Sequence, residues 1–280
     1  MRGNVFLRYV LPALIALPIG FLMLYPQLLR CMRIADTNGY QALPGLPNVY
    51  VNQSATTHQQ RQFRRHVLTA RDRIRRFWGD RRGQATLIYC PKQADYEQYC
   101  AGGEGAGCSI GTPWGDAYLI LGPDGNNADV IAHELCHDEL FARLGWWRVK
   151  RQIPQWFNEG LALMVDYRFS SPLTWEQPDS SLQYQLPRNT LNPMPHALHS
   201  MLKLADLETT RDFFGGDYRH TMLAYQTSAE EVTRWLALVG RSGVPALTNA
   251  IAEGKPFADT YQRLEREKRS AQKRNGKRNL

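Results

Sequence analysis

The sequence predicts an α+β protein: an N-terminal transmembrane helix, then a domain whose small mixed β lobe precedes a helical lobe. Three observations carry this. Tyr9–Leu29 is a run of 21 residues without a charge. Two short apolar, β-prone runs lie between residues 85 and 122. From Asn127 onward apolar residues recur at helical spacing, and the first of these helices contains His133-Glu134-Leu135-Cys136-His137.

A chain of 280 residues with 43% hydrophobic and 21% charged residues has material for a sizeable core, which excludes global disorder. The net charge of +8 is concentrated. Residues 263–280 carry most of it, have no apolar period, and are expected to form a basic, solvated, mobile tail. No nucleic-acid partner is inferred from this charge.

Residues 1–35 are assigned to a membrane anchor, with the span at about 9–29. Arg2 and Arg8 precede it; Arg30 and Arg33 follow it. Leu28, Leu29 and Arg30 stand where a signal-peptide cleavage site or lipoprotein signal needs small residues, so the segment reads as an uncleaved signal-anchor. Pro12, Pro18 and Pro26 are tolerated in such a helix. A short arginine-bearing flank that stays in the cytoplasm places the domain outside it, in a bacterium on the periplasmic side of the inner membrane. Cys90, Cys100 and Cys108 are close in sequence, and one disulfide among them is expected, its pairing left open.

Residues 36–57 read as a polar linker, and 58–262 as the domain, its β lobe at about 85–127 and its helical lobe at about 128–262. Phe63, Val67, Ala70, Ile74 and Phe77 define a helix over His58–Trp78 with one buried stripe and a solvated, arginine-rich outer face. Ala85–Cys90 and Asp116–Gly122 are strands, and Ala101–Gly115 between them is a glycine-rich loop. That loop lacks the Gly-Lys-Ser/Thr ending of a phosphate cradle.

Asn127 can cap a helix running to Leu144 and stopped by Gly145. Another starts at Pro154. Ser170–Pro195, with five prolines, is expected to be extended and irregular; helices return at Met222–Val239 and Val244–Ile251.

His133 and His137, four residues apart, share one helical face and can converge on a single ion. Glu134 lies beside them, placed to act as general base on a water activated by the metal rather than as a ligand. A catalytic zinc needs a third protein ligand, and Glu159 is the candidate. It sits in an otherwise apolar helix, where a carboxylate is costly unless a cation compensates it. Gly160 beside it lets a second helix approach closely. Asp129 and Asp166, one turn before His133 and two turns after Glu159, are candidates to orient a ligand imidazole. Cys136 reads as a buried structural thiol.

The His-Glu-Leu-Cys-His run, followed by Asn158-Glu159-Gly160-Leu161-Ala162, resembles the gluzincin zinc metallopeptidases, the group of thermolysin and the aminopeptidase N-like enzymes. The likeness covers roughly Thr86 to Tyr261, and its phrasing around Glu159 is nearer the aminopeptidase N branch. It implies a zinc ion on His133, His137 and Glu159, with Glu134 as catalytic base. It also implies an oxyanion donor from the downstream helix, where the matching residue is Tyr225, with Tyr218 and His220 as neighbours. The segment that grips a substrate's amino terminus in that branch has no counterpart; Gly115–Asn127 stands there without a glutamate. Its absence makes an endopeptidase the expectation rather than an aminopeptidase, and the chain is more similar to the small bacterial peptidase-MA-like proteins. Its strand Ala117, Tyr118, Leu119, Ile120 and Leu121 would bind an extended peptide by strand addition.

The expectation is thus a membrane-anchored zinc peptidase acting on a peptide or protein substrate. The competing readings are a non-catalytic gluzincin-like domain that binds a peptide or protein and retains zinc, and an anchored basic adaptor with a fortuitous motif.

Overall fold

A computed structural model describes residues 12, 20, 25–100, 105–176 and 202–278 of the chain. Helix α1 is Pro26–Met32; strands β1 (Tyr40–Ala42) and β2 (Val49–Asn52) follow, then helix α2 (Thr57–Trp78) and strand β3 (Thr86–Tyr89). Helix α3 (Gln93–Tyr96) leads to strands β4 (Gly107–Gly111) and β5 (Ala117–Leu121). The rest is helical: α4 (Ala128–Leu144), α5 (Trp146–Gln152), α6 (Gln155–Val165), α7 (Leu173–Glu176), α8 (Thr210–Phe214), α9 (Tyr218–Val239), α10 (Gly243–Ala252) and α11 (Phe257–Arg278).

The five strands form one mixed sheet in the order β1-β2-β3-β5-β4. β2, β3 and β5 are parallel, and β1 and β4 close the two edges antiparallel to their neighbours. Side chains alternate across the sheet as the pleat requires. Val49, Val51, Leu87, Leu119 and Leu121 face the helices, whereas Ile88, Cys90, Tyr118 and Ile120 face a smaller cluster on the other side.

Three expectations are corrected here. No helix among the described residues is long and apolar enough to cross a membrane, against the transmembrane helix expected at 9–29. Apart from residues 12 and 20, the first part of that segment, 9–24, lies outside the described residues. Its end is the seven-residue α1, whose Leu28 and Cys31 are buried with Ile88 and Ile120 of the sheet rather than turned to lipid. The single-pass membrane placement and the extracytoplasmic location rested on that helix and find no support among the described residues.

The second correction concerns the lobes. One hydrophobic cluster runs without a break from Val49 and Leu87 of the sheet through Phe63 and Phe77 of α2 to Leu161, Trp235 and Ile251. The sheet and the helices therefore share a single core and are not two lobes in series. The third concerns three stretches taken as irregular. The linker holds β1 and β2, and the glycine-rich loop holds β4; these strands are too short, and too rich in Gly, Pro or Asn nearby, to show a period. The basic tail continues as helix α11, whose charges pair at helical spacing (Arg263 with Glu267, Arg269 with Glu265), so hydropathy alone does not reveal it. Of Ser170–Pro195, residues 177–195 lie outside the described residues.

Local chemistry sets the helix ends. Thr56 and Gln59 form a reciprocal capping box at the start of α2. The Asn127 side chain accepts the Asp129 amide at 2.8 Å to start α4, and Gly145, at φ 76°, ends it. α6 crosses α9 at Gly160, where an added Cβ would sit 2.6 Å from the Ser228 carbonyl and 2.7 Å from Val232. That close crossing brings α9 against the helix that carries Glu159.

Candidate metal centre

α4 presents His133 and His137 on its buried face, and α6 packs against it so that Glu159 meets both. One Glu159 oxygen, Oε2, lies 3.4 Å from His133 Nε2 and 3.7 Å from His137 Nε2. One ligand atom from each residue falls within 4.8 Å of the others, and all three residues are buried. This group could hold a metal ion.

The surrounding bonds aim the donors inward. Gln155 Nε2 donates to Glu159 Oε1 at 2.7 Å, leaving Oε2 to the histidines. His137 Nδ1 lies 3.0 Å from Asn158 Oδ1, and a proton donated there leaves Nε2 as a bare lone pair. His133 Nδ1 lies 3.7 Å from Asp166 Oδ2 and makes no hydrogen bond. Two imidazoles and one carboxylate make a donor set that suits a divalent transition-metal ion.

Electrostatics point the same way. Burial works against charge on His133, but the hydrogen bond to Glu159 and the charges of Glu134, Glu159 and Asp166 outweigh it and raise its pKa. For Glu159 burial opposes ionisation, yet His137, His133 and the Gln155 amide hold its carboxyl below the usual range. A buried site with this much negative charge is built for a cation.

Glu134 turns toward an adjoining cavity of about 220 Å³, lined also by Gly107, Val130, Leu163, Arg168 and Tyr225. Burial raises its pKa, a push that His133 and His137 partly offset. Tyr225 reaches this cavity from α9, seated edge-on against Phe213. Its phenol is pushed well above the ordinary range by burial, with Glu159, Glu134 and Asp166 adding to the effect. Its two sequence neighbours do not line the cavity: Tyr218 is 80% exposed, and His220 Nε2 lies 2.8 Å from the Asp212 carbonyl.

Two expected roles are corrected. Asp129 does not orient His133. Its carboxylate is bound to Arg73 Nη1 at 2.6 Å, and Arg73 also donates to the Val165 carbonyl at 2.7 Å, tying the start of α4 to the end of α6. Arg73 is therefore buried rather than part of a solvated face. Nor can Ala117–Leu121 take a peptide by strand addition. β5 pairs with β3 on one side and β4 on the other, and all five residues are buried. On this side the edge strand is β4, with no further strand beside it among the described residues. Its Gly107 passes so close to the site that an added Cβ would lie 3.3 Å from Glu134 Cγ.

Sequence reasoning missed Asn158, Gln155 and Arg168. Asn158 directly precedes the candidate ligand Glu159 and Gln155 lies one turn before it, a helical spacing that was legible; Arg168 lies beyond the helix and carried no signal. The Cys100–Cys108 disulfide anchors β4, while Cys31, Cys90 and Cys136 are free and buried. Comparison with known protein families, with curated proteins and with solved structures finds no match to this chain.

Proposed function

We propose that the chain is a zinc-dependent peptidase that hydrolyses internal peptide bonds. The observation that carries this reading is the burial of His133, His137 and Glu159 around one point, with Glu134 beside them facing a cavity that the edge strand β4 borders. A purely structural metal site has no use for a fourth residue, a non-ligating carboxylate opening onto a cavity.

When bound, zinc supplies Lewis acidity toward a water and toward the scissile carbonyl. Glu134 takes a proton from the attacking water and returns it to the leaving nitrogen as the C–N bond breaks, giving a carboxylic acid and an amine. The Tyr225 hydroxyl, kept protonated by its burial, donates to the oxyanion that develops at the carbonyl. Asn158 holds the His137 imidazole from behind, and the Asp166 carboxylate lies 3.7 Å behind His133 Nδ1. The open edge of β4 (Gly107–Gly111) aligns an extended substrate over Glu134.

The test is the zinc content of the purified full chain and of its Glu134→Gln variant, with both digested against a mixed-peptide substrate. One zinc per chain in both, with cleavage only by the wild type, is the expected result. Zinc in both without cleavage by either would favour a peptide-binding domain instead, and no zinc in either would end the metal reading.

A further inference from the structure

Arg168 is a group in the cavity wall that the hydrolytic steps do not use. Its Nε and Nη2 are tied to Asp166 at 2.9 Å and 2.6 Å, forming a fork on a carboxylate that has no exposure at all. That fork fixes the guanidinium plane, and its other edge nitrogen, Nη1, has no hydrogen-bond partner among the described residues. A cation whose sole task was to neutralise Asp166 would be buried with it, yet the Arg168 side chain is 41% exposed and lines the cavity beside Glu134. The surrounding wall of Leu163, Phe169 and Met222 is apolar. The other ionisable groups in that wall, His133, Glu134, Asp166 and Tyr225, are acids or a metal ligand, so Arg168 is the one fixed cation among the described lining residues.

Resting on the peptidase reading, we infer that Arg168 is a specificity residue that binds a substrate carboxylate, so that the site prefers acidic peptides. An apolar wall ending in a pre-oriented guanidinium accepts a methylene stem tipped by an anion, and it discriminates against the neutral isostere. The carboxylate has two sources, an acidic side chain near the cleaved bond or the peptide's own C-terminus, and both present the same chemistry to Arg168.

The experiment uses the zinc-loaded full chain and four N-acetylated alanine pentapeptides, with Glu or Gln at the central position and a free acid or an amide at the end. Affinity is measured by calorimetry on the Glu134→Gln background, so that no peptide is consumed, and cleavage is followed separately with the wild type. At least tenfold tighter binding of a carboxylate form over its neutral partner is expected, and the pair that shows it names the source. Arg168→Gln should bring that ratio to about one and Arg168→Lys should keep part of it, with zinc content monitored throughout. If Arg168→Gln loses zinc or fails to fold, Met222→Glu, which sets a fixed acid in the same wall and leaves the Arg168–Asp166 fork intact, should erase the ratio instead. Ratios near one for both pairs, or ratios unchanged by these substitutions, overturn the inference even where the wild type cleaves peptides. Carboxylate-dependent binding that vanishes in Arg168→Gln, with no cleavage by the wild type, upholds the recognition and overturns hydrolysis.

Discussion

Asn158 Oδ1 lies 3.0 Å from His137 Nδ1, so the residue just before one proposed ligand orients another on a different helix. Substituting Asn158 by Ala frees that imidazole to rotate and removes the preference for a bare Nε2. Metal affinity is expected to fall about 10–100-fold with the fold intact, as a competitive chelator titration with circular dichroism would report. Asn158→Asp, which keeps an acceptor, should restore most of it. Equal affinity for Asn158→Ala and wild type would remove this contact from the site.

Metal binding should be visible in stability. An ion held only by the folded chain adds about 4 kcal/mol at a free concentration a thousandfold above its Kd. For a chain of this size that is a rise in Tm of about 8 °C or more. Glu159→Gln and His133→Ala should lose the response to added zinc, and chelation of the wild type should reproduce the variants' Tm. A zinc-independent Tm in the wild type would falsify the site.

The pH dependence has a definite sign. Burial would lower the His133 pKa, but the neighbouring carboxylates raise it above its ordinary value. Without metal, then, His133 takes up its proton at a higher pH than an ordinary histidine, and metal must displace that proton to bind. Affinity therefore declines as pH falls, by up to about tenfold per unit for each proton displaced, starting above the usual midpoint near 6.5. Metal affinities measured from about pH 8 to 5 test this, and a flat profile would contradict it.

Gly160 has no room for a side chain. A Cβ there meets the Ser228 carbonyl at 2.6 Å, and backbone cannot yield as a side-chain tip would. Gly160→Ala should destabilise the chain by about 1–3 kcal/mol in urea unfolding. Because the strain would push α9 outward, it should also weaken whatever Tyr225 contributes, lowering kcat more than it raises KM.

Asp138 and Glu139 continue the acidic run after His137, yet they have a different task. Glu139 accepts the Arg82 and Gly83 amides at 2.9 Å, and Asp138 accepts the Ala85 amide at 3.0 Å, pinning the loop before β3 to α4. Glu139→Ala leaves the buried Gly83 amide and the partly buried Arg82 amide without this partner and should cost about 1–3 kcal/mol of stability. The metal affinity of the folded fraction should stay unchanged, and a parallel loss of affinity would tie this loop to the site.

What could be seen beforehand was what is local. The helix boundaries at Asn127, Gly145 and Gly240 follow from capping and left-handed glycines, and the spacing of His133 and His137 follows from the helical turn. The misplaced elements share a cause: their partners lie far away in sequence. β2 becomes a strand through pairing with β3, with β1 added against it, and Arg73 is buried because Asp129 and the Val165 carbonyl meet it from 56 and 92 residues away. The apolar run at 9–29 satisfied a hydropathy window, but the buried side chains at its end lie under the sheet.

By itself the sequence determined that two histidines share one helical face with a glutamate beside them, that Glu159 stands in an apolar helix, and that glycines and caps end the helices. Periodicity and capping are properties of a few consecutive residues. Only the tertiary structure decided which of those groups meet: that Glu159 closes on both imidazoles, that Asp166 and not Asp129 stands behind His133, and that β4 rather than β5 lies at an edge of the sheet among the described residues. The reason is physical. Burial and strand order are set by the free energy of the whole core, and each residue's partner is whatever the packing of distant segments leaves beside it.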